Sequence, residues 1–420
     1  MKINALRALG HRNFRLFFCG QSVSLIGTWM TRLATSWLVY RLTGSSLLLG
    51  AVSFAGQIPT FFLSPLAGVW IDRWDRRRVL LVTQLLAAVQ SLALAALALS
   101  GRITGAEVLW LSVFQGLINA FDMPARQSFL VQMVDGRTDL SNAIALNSTM
   151  VNGARLLGPA VAGITIAAVG EGYCFLIDGV SYFAVIVSLL AMKVEGRTVR
   201  EAAGSVVAQL KEGWNYVSTF APIRTVLLLF GIVSFMGIPY TVLMPVFATK
   251  ILHGGPHTLG FLMGAAGVGS VFASVGLAVR KSVRGLYRLI PAVAALFGGA
   301  LIAFSFSRNY WASLALMCLT GFGMLQFSAA SNTVIQTIVD DEKRGRVMSF
   351  YTMAYMGASP FGSLLAGALA PVLGAQGTVL LCGAGCIAGA VWFWFQIPKL
   401  RPAIRLIYER LGIMPVSAAL

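Results

Sequence analysis

Twelve runs of predominantly apolar residues, each 20 or more long, constrain this chain more than any other feature. They lie near 14–40, 47–71, 78–100, 107–133, 142–169, 172–193, 222–249, 258–279, 286–307, 310–337, 347–372 and 377–397. At about 1.5 Å of rise per residue, a helical run of this length crosses a hydrocarbon core of about 30 Å. Lipid offers the backbone no hydrogen-bond partners, so a spanning segment is a helix or part of a closed barrel, and barrel strands are only about ten residues long. The pattern therefore predicts an all-α integral membrane protein of twelve transmembrane helices. Composition agrees, since a chain 57% hydrophobic and 11% charged cannot cover the surface of a soluble protein of 420 residues.

The formal net charge of +17 invites a nucleic-acid reading, which the positions of the charges exclude. With both termini placed in the cytoplasm, Arg41, Arg102, Lys250 and Arg308 fall at outer ends and Arg32, Arg126 and Arg155 within runs. The remaining Lys and Arg residues fall at inner ends. This is the positive-inside bias of a multi-pass membrane protein, and a bacterial cytoplasmic (inner) membrane is the expected location. The basic, amphipathic N-terminus leads into a first run too long for a signal-peptide core, so no cleavable signal is expected. It reads as a short helix on the inner leaflet. Cys19, Cys174, Cys318, Cys382 and Cys386 fall in or beside runs and give no disulfide framework. His253 and His257 flank Gly254, Gly255 and Pro256, a loop signal, and no metal site or bound cofactor is expected.

The longest polar stretch, 194–221, divides the chain into six runs on each side. Apolar spacing at Val206, Val207, Leu210, Trp214 and Val217 within it predicts an amphipathic surface helix. The expected domains are a six-helix bundle over 1–193, a cytoplasmic linker over 194–221, a second bundle over 222–398 and a tail over 399–420. The halves echo each other: QSFLVQMVD at 127–135 resembles NTVIQTIVD at 332–340, and Gly158 and Gly163 correspond to Gly362 and Gly367. Parallel repeats of this kind point to a transporter with its site between the halves near the midplane.

Between the second and third runs stands GVWIDRWDRRR, residues 68–78. Gly68 permits close helix approach, Asp72 can accept from backbone N–H groups at a neighbouring helix start, and the arginines fix the cytoplasmic side. The order resembles the signature loop of the major facilitator superfamily, Gly-x-x-x-Asp-Arg-x-Gly-Arg-Arg, matched here by Gly68, Asp72, Arg73, Arg76 and Arg77 with Asp75 in place of the second glycine. GTWMTR at 27–32, FDMPARQ at 121–127, NAIALN at 142–147, LGP at 157–159 and RGRVM at 344–348 are similar to the drug and siderophore exporter branch, which includes enterobactin exporters and macrolide efflux transporters. The resemblance implies two pseudo-symmetric six-helix bundles, alternating access, export, and a loop at Asp72 that latches the cytoplasmic side. A worn copy, 276–281, keeps its glycine and basic residues but not the acid.

Charged side chains within spans cost roughly 2.5–3.5 kcal/mol on insertion scales and mark function. There are five, Arg32, Asp122, Arg126, Arg155 and Asp178, all in the first half. Depth along the helices places Arg32 and Asp178 together in the outer third, as a possible pair. Asp122 lies near the middle of the fourth run, four residues from Arg126 on one face, and could bridge Arg126 or Arg155. Two readings stay open: a titrating carboxylate at Asp122 whose proton exchanges for substrate, or permanent ion pairs that fix packing. The arginines could also bind an anionic substrate. In the fifth run, Gly153, Gly158, Pro159 and Gly163 resemble an antiporter motif and favour export. The family's helix-4 arginine, three residues before Gln115-Gly116, is absent; Ser112 stands there.

Cavity candidates are Trp29, Trp37, Phe54, Gln57, Phe61, Phe235, Tyr240, Gln326, Phe327, Asn332, Tyr351 and Tyr355, apolar and aromatic groups suited to a large amphipathic ligand. The resulting expectation is a non-enzymatic, monomeric secondary transporter. It would export a small amphipathic molecule of the drug, macrolide or siderophore class, driven by the proton gradient. Its other partners would be membrane lipids and not nucleic acid. A lipid or lysophospholipid transporter of the same fold is the alternative.

Overall fold

The structure, a computed structural model, describes residues 6–410 apart from 135, 194–205, 279, 281 and 341–342. The side chains of 65, 69, 72, 137, 138, 206–210, 278 and 410 also lie outside the description. The described residues are helical with no strand. They cluster into two compact units, Met1–Ala203 with Met244–Gly267, and Gly204–Leu243 with Val268–Leu420.

The first unit contains α1 (Arg12–Thr43), α2 (Ser46–Arg73), α3 (Arg76–Leu99), α4 (Gly105–Leu130), α5 (Arg137–Val169) and α6 (Glu171–Ala191). Local chemistry sets several of the starts. Asp75 caps α3 by accepting from the N–H groups of Arg77 (2.9 Å) and Arg78 (3.3 Å). Thr104 and Glu107 form a reciprocal capping box on α4. Within α4, Pro124 cannot donate to the carbonyl of Ala120, and the Ser64 hydroxyl of α2 donates to that oxygen instead at 3.4 Å. One turn away, Thr60 donates to Gly116 O at 3.0 Å, so α2 and α4 are joined where lipid could supply nothing.

The N-terminal stretch forms a 3-10 turn, Arg7–Gly10, tied to the start of α5. Arg7 and His11 both engage Asp139, and Ala8 N donates to Asn142 Oδ1 at 2.9 Å. The short helix expected here is this turn, and two side chains of α5 anchor it. At the far end, Arg41 of α1 pairs with the buried Glu171 of α6.

The second unit holds α7 (Val206–Thr219), α8 (Ala221–Met236) with the start of α9 (Tyr240–Val246), the later part of α10 (Pro256–Ala278), α11 (Leu286–Phe306), α12 (Tyr310–Ile338) and α13 (Arg344–Arg410). Of the amphipathic linker helix, α7 realises 206–219. Arg346 pairs with Glu212, and Tyr216 Oη donates to Asp340 Oδ2 at 3.2 Å, so α7 is held on the segment joining α12 to α13. Burial and the neighbouring Asp340 carboxylate raise the Tyr216 phenol above its ordinary value.

Among the described residues nine helices are long and apolar enough to cross a membrane, one of them the 66-residue Arg344–Glu409. A straight helix of that length would extend about 100 Å, some three hydrocarbon thicknesses. It breaks at Gly374, whose φ of 73° and ψ of 161° are not helical, in the gap between the runs expected at 347–372 and 377–397.

Candidate transport site

Two buried carboxylates organise the interior of the first unit. Asp122, only 2% exposed, forms an ion pair with Arg126 one turn along α4. It also accepts from two side chains of α3, Thr83 Oγ1 at 3.0 Å and Gln84 Nε2 at 2.7 Å. Of the two cations open to Asp122 from the sequence, Arg126 is the one paired with it. A carboxylate with a cation on one oxygen and two neutral donors on the other is a stable buried charge.

Asp178, also 2% exposed, lies on α6. It accepts from Ser91 Oγ at 3.1 Å and makes a long contact with Thr28 Oγ1 at 3.5 Å. The Tyr182 hydroxyl, one turn along α6, approaches the same Thr28 oxygen at 3.4 Å. Gly27 makes this possible. A Cβ there would lie 2.8 Å from Asp178 Oδ1 and 2.9 Å from its Cα, so only glycine lets α1 and α6 approach here.

Arg32 and Arg155 meet at Trp29. Their guanidinium carbons lie 4.8 and 5.2 Å from the centroid of its indole ring. Two cations on one indole form a basic, aromatic patch suited to an anionic or aromatic group. Gly158 holds the patch together, since a Cβ there would overlap Trp29 Cβ and sit 3.1 Å from Ile26 O. Nε of both Arg126 and Arg155 is buried without a hydrogen-bond partner, leaving donor capacity unused. Elsewhere in the α5 motif, Gly163 and Pro159 pack on the first turns of α10 at Pro256 and Gly260. A Cβ on Gly153 would meet nothing within 4 Å.

In the signature loop the structure separates roles that looked alike. Arg77 caps α6, donating from Nε to Leu189 O at 2.8 Å and from Nη2 to Leu190 O at 2.9 Å. Arg73 is exposed, Arg76 half-buried. The close approach expected at Gly68 is not made, because a Cβ there would have no neighbour within 4 Å. The side chain of Asp72 lies outside the described residues, as do Val279 and Lys281 of the worn copy; Arg280 folds onto its own loop through Arg284 O.

The second unit gathers its aromatic candidates around Phe230 of α8. Tyr351, Phe327 and Tyr355 stack on that ring with centroids at 4.3, 5.5 and 5.7 Å. Tyr351 also donates to Ser328 O at 3.0 Å. Phe327 is fully buried, and Tyr240 packs edge-on against Phe297, so both belong to the bundle's interior. Asn332 accepts from Gln336, and Gln326 is buried with its Oε1 unpartnered. Phe235 is half-buried. In the first unit, Gln57 is turned back onto Ser53 of its own helix, Phe61 packs edge-on against Phe62, and Trp37 and Phe54 are half-buried.

A sequence profile described as transmembrane secretion effector matches residues 3–405. The chain belongs to this family of the major facilitator superfamily. It is 26% identical over 390 residues to the staphyloferrin A transporter of Staphylococcus aureus, covering 92% of this chain and 97% of that one. It is 27% identical over 384 residues to the multidrug efflux pump Tap of Mycolicibacterium fortuitum, with 89% and 93% covered. Among solved structures, a POT family transporter in complex with 5-aminolevulinic acid matches with a TM-score of 0.71 at 13% identity, covering 94% and 96%. The family consists of multi-pass membrane transporters, not enzymes, and the relatives' names lend the lipid-transport alternative no support.

In this transporter the five intramembrane charges are legible in the sequence, but the neutral groups around them are less so. Thr83, Gln84, Ser91, Thr28 and Tyr182 carry a signal that was available, as polar side chains inside apolar runs on helices facing the charges. Phe230 carried none, since one phenylalanine among the leucines of α8 looks like any lipid-facing residue.

Proposed function

We propose that this chain exports a small amphipathic molecule of the drug, macrolide or siderophore class by alternating access, in exchange for protons carried by Asp122. Both termini lie in the cytoplasm of a bacterial cell. The observation that carries the reading is the Asp122 site: a buried carboxylate on a helix interrupted by Pro124, with Oδ2 paired to Arg126 and Oδ1 accepting from both Thr83 and Gln84. A change in α4 that parts Arg126 from Asp122 raises the carboxylate's affinity for a proton, and restoring the pair expels it. The Trp29 patch, with Arg32 and Arg155, supplies cationic and aromatic contacts for the cargo. The names of the siderophore and multidrug relatives support this cargo class.

The test is transport by the purified chain in proteoliposomes, with a macrolide and a ferric carboxylate siderophore as cargo. An imposed pH gradient should drive movement of one of them, and Asp122→Asn should abolish the gradient's effect. Movement that ignores the gradient sinks proton exchange; movement of neither cargo sinks the substrate class.

A further inference from the structure

The surface of the first unit carries a second feature suited to binding, on the outer side of α3 and α4. A groove of about 590 Å³ runs between the end of α2 and the facing sides of α3 and α4. Its mouth is formed by Arg73, Asp75 and Arg78, and its walls by apolar side chains including Val82, Leu86 and Leu117. These three are exposed although strongly apolar, as expected of residues that face acyl chains. Trp74 and Phe121 line the groove at the level of the mouth. With Trp70 they form a stack whose ring centroids are 6.1–6.5 Å apart and whose planes lie within 24°. Tryptophans in such a stack mark the headgroup level of a bilayer.

Among the described residues the charge at the mouth is held only weakly. The ion pair between Arg78 and Asp75 is long, at 3.5 Å, and its side chains are 86% and 52% exposed, so it holds Arg78 weakly. Asp75 is occupied with capping α3. Arg73 adds a second exposed guanidinium. From Arg78 to Leu86 along α3 is eight residues, about 12 Å of rise, enough to pass from a headgroup to the upper part of an acyl chain. A cationic mouth, an aromatic collar and an apolar slot in that order match one kind of molecule.

The geometry points to a binding site for an anionic phospholipid of the leaflet facing the arginine-rich end. Its phosphate sits between Arg73 and Arg78, and an acyl chain lies along Val82, Leu86 and Leu117. The inner wall of the groove includes Thr83, whose hydroxyl donates to Asp122, so the bound lipid lies one side chain from the buried carboxylate.

The test places the full-length chain in phosphatidylcholine vesicles with increasing brominated phosphatidylglycerol and reads quenching of tryptophan emission. Subtracting the signal of Trp74→Phe isolates the reporter at the collar. The expected result is a Trp74 component that saturates at a low phosphatidylglycerol fraction, with an apparent affinity 10-fold or more above that for brominated phosphatidylcholine. Arg73→Gln with Arg78→Gln, both exposed and so compatible with folding, should bring the two lipids to equal affinity. Equal quenching by the two lipids in the unmodified chain would overturn the site, as would selectivity that survives the double substitution. Displacement of the Trp74 signal by macrolide or siderophore, without any phosphatidylglycerol preference, would assign the groove to cargo and also overturn it.

Discussion

Removing Arg126 should destabilise the chain more than removing the acid it pairs with. In Arg126→Gln, Asp122 stays 98% buried, and among the described residues it keeps two neutral donors, Thr83 at 3.0 Å and Gln84 at 2.7 Å. Breaking a buried pair typically costs about 3–5 kcal/mol. Here the Arg126 side chain is 27% exposed, so part of its field is already screened, and the expected cost falls to about 2–3 kcal/mol. Asp122→Asn keeps the oxygen that accepts from Thr83 and Gln84, loses the acceptor facing Arg126, and leaves a guanidinium that is already partly exposed. It should cost about 1–2 kcal/mol, the scale of one or two lost hydrogen bonds. The double variant removes both charges, so its cost should fall short of the sum by about 1–2 kcal/mol. Reversible unfolding in mixed micelles, followed by tryptophan emission, gives all three values. Additivity within about 0.5 kcal/mol, or a larger loss for Asp122→Asn than for Arg126→Gln, would refute the buried, coupled pair.

Other substitutions separate close packing from open space. Gly158→Ala should cost about 1–3 kcal/mol and reduce transport because its methyl displaces Trp29, whereas Gly153→Ala should leave unfolding within about 0.5 kcal/mol. Arg77→Ala removes both hydrogen bonds to the end of α6 and should cost about 1–2 kcal/mol in the same assay, with Arg73→Ala near zero. Glu212→Gln should speed amide exchange in α7 by no more than about fivefold, since its pair with Arg346 is solvent-facing.

The architecture was legible because lipid makes it so. A run of 20 apolar residues has few alternatives to a spanning helix, and the basic loops and the signature stretch at 68–78 are local in sequence. The pair Asp122–Arg126 was legible for the same reason: four residues apart on one helix, the two side chains must be neighbours. Partners across helices were not. Arg155 could be placed near Asp122 by depth alone, yet α5 is turned so that it faces Trp29, an orientation set by the contact of Gly158 with α1. Arg77 looked like its neighbours in the arginine cluster because the carbonyls it caps lie 112 and 113 residues away. The close approach expected at Gly68 is not made for the same reason, since it depended on what lay opposite.

Proton exchange through Asp122 can be isolated by comparing two modes of transport in Asp122→Asn proteoliposomes. One is movement of the cargo driven by an imposed pH gradient. The other is exchange of labelled for unlabelled cargo at equal pH, which needs the binding site and alternation but no net proton movement. Gradient-driven transport should be lost while exchange continues at near the rate of the unmodified chain. Gradient-driven transport that survives, or exchange that is lost together with it, would contradict the assignment of the proton to Asp122.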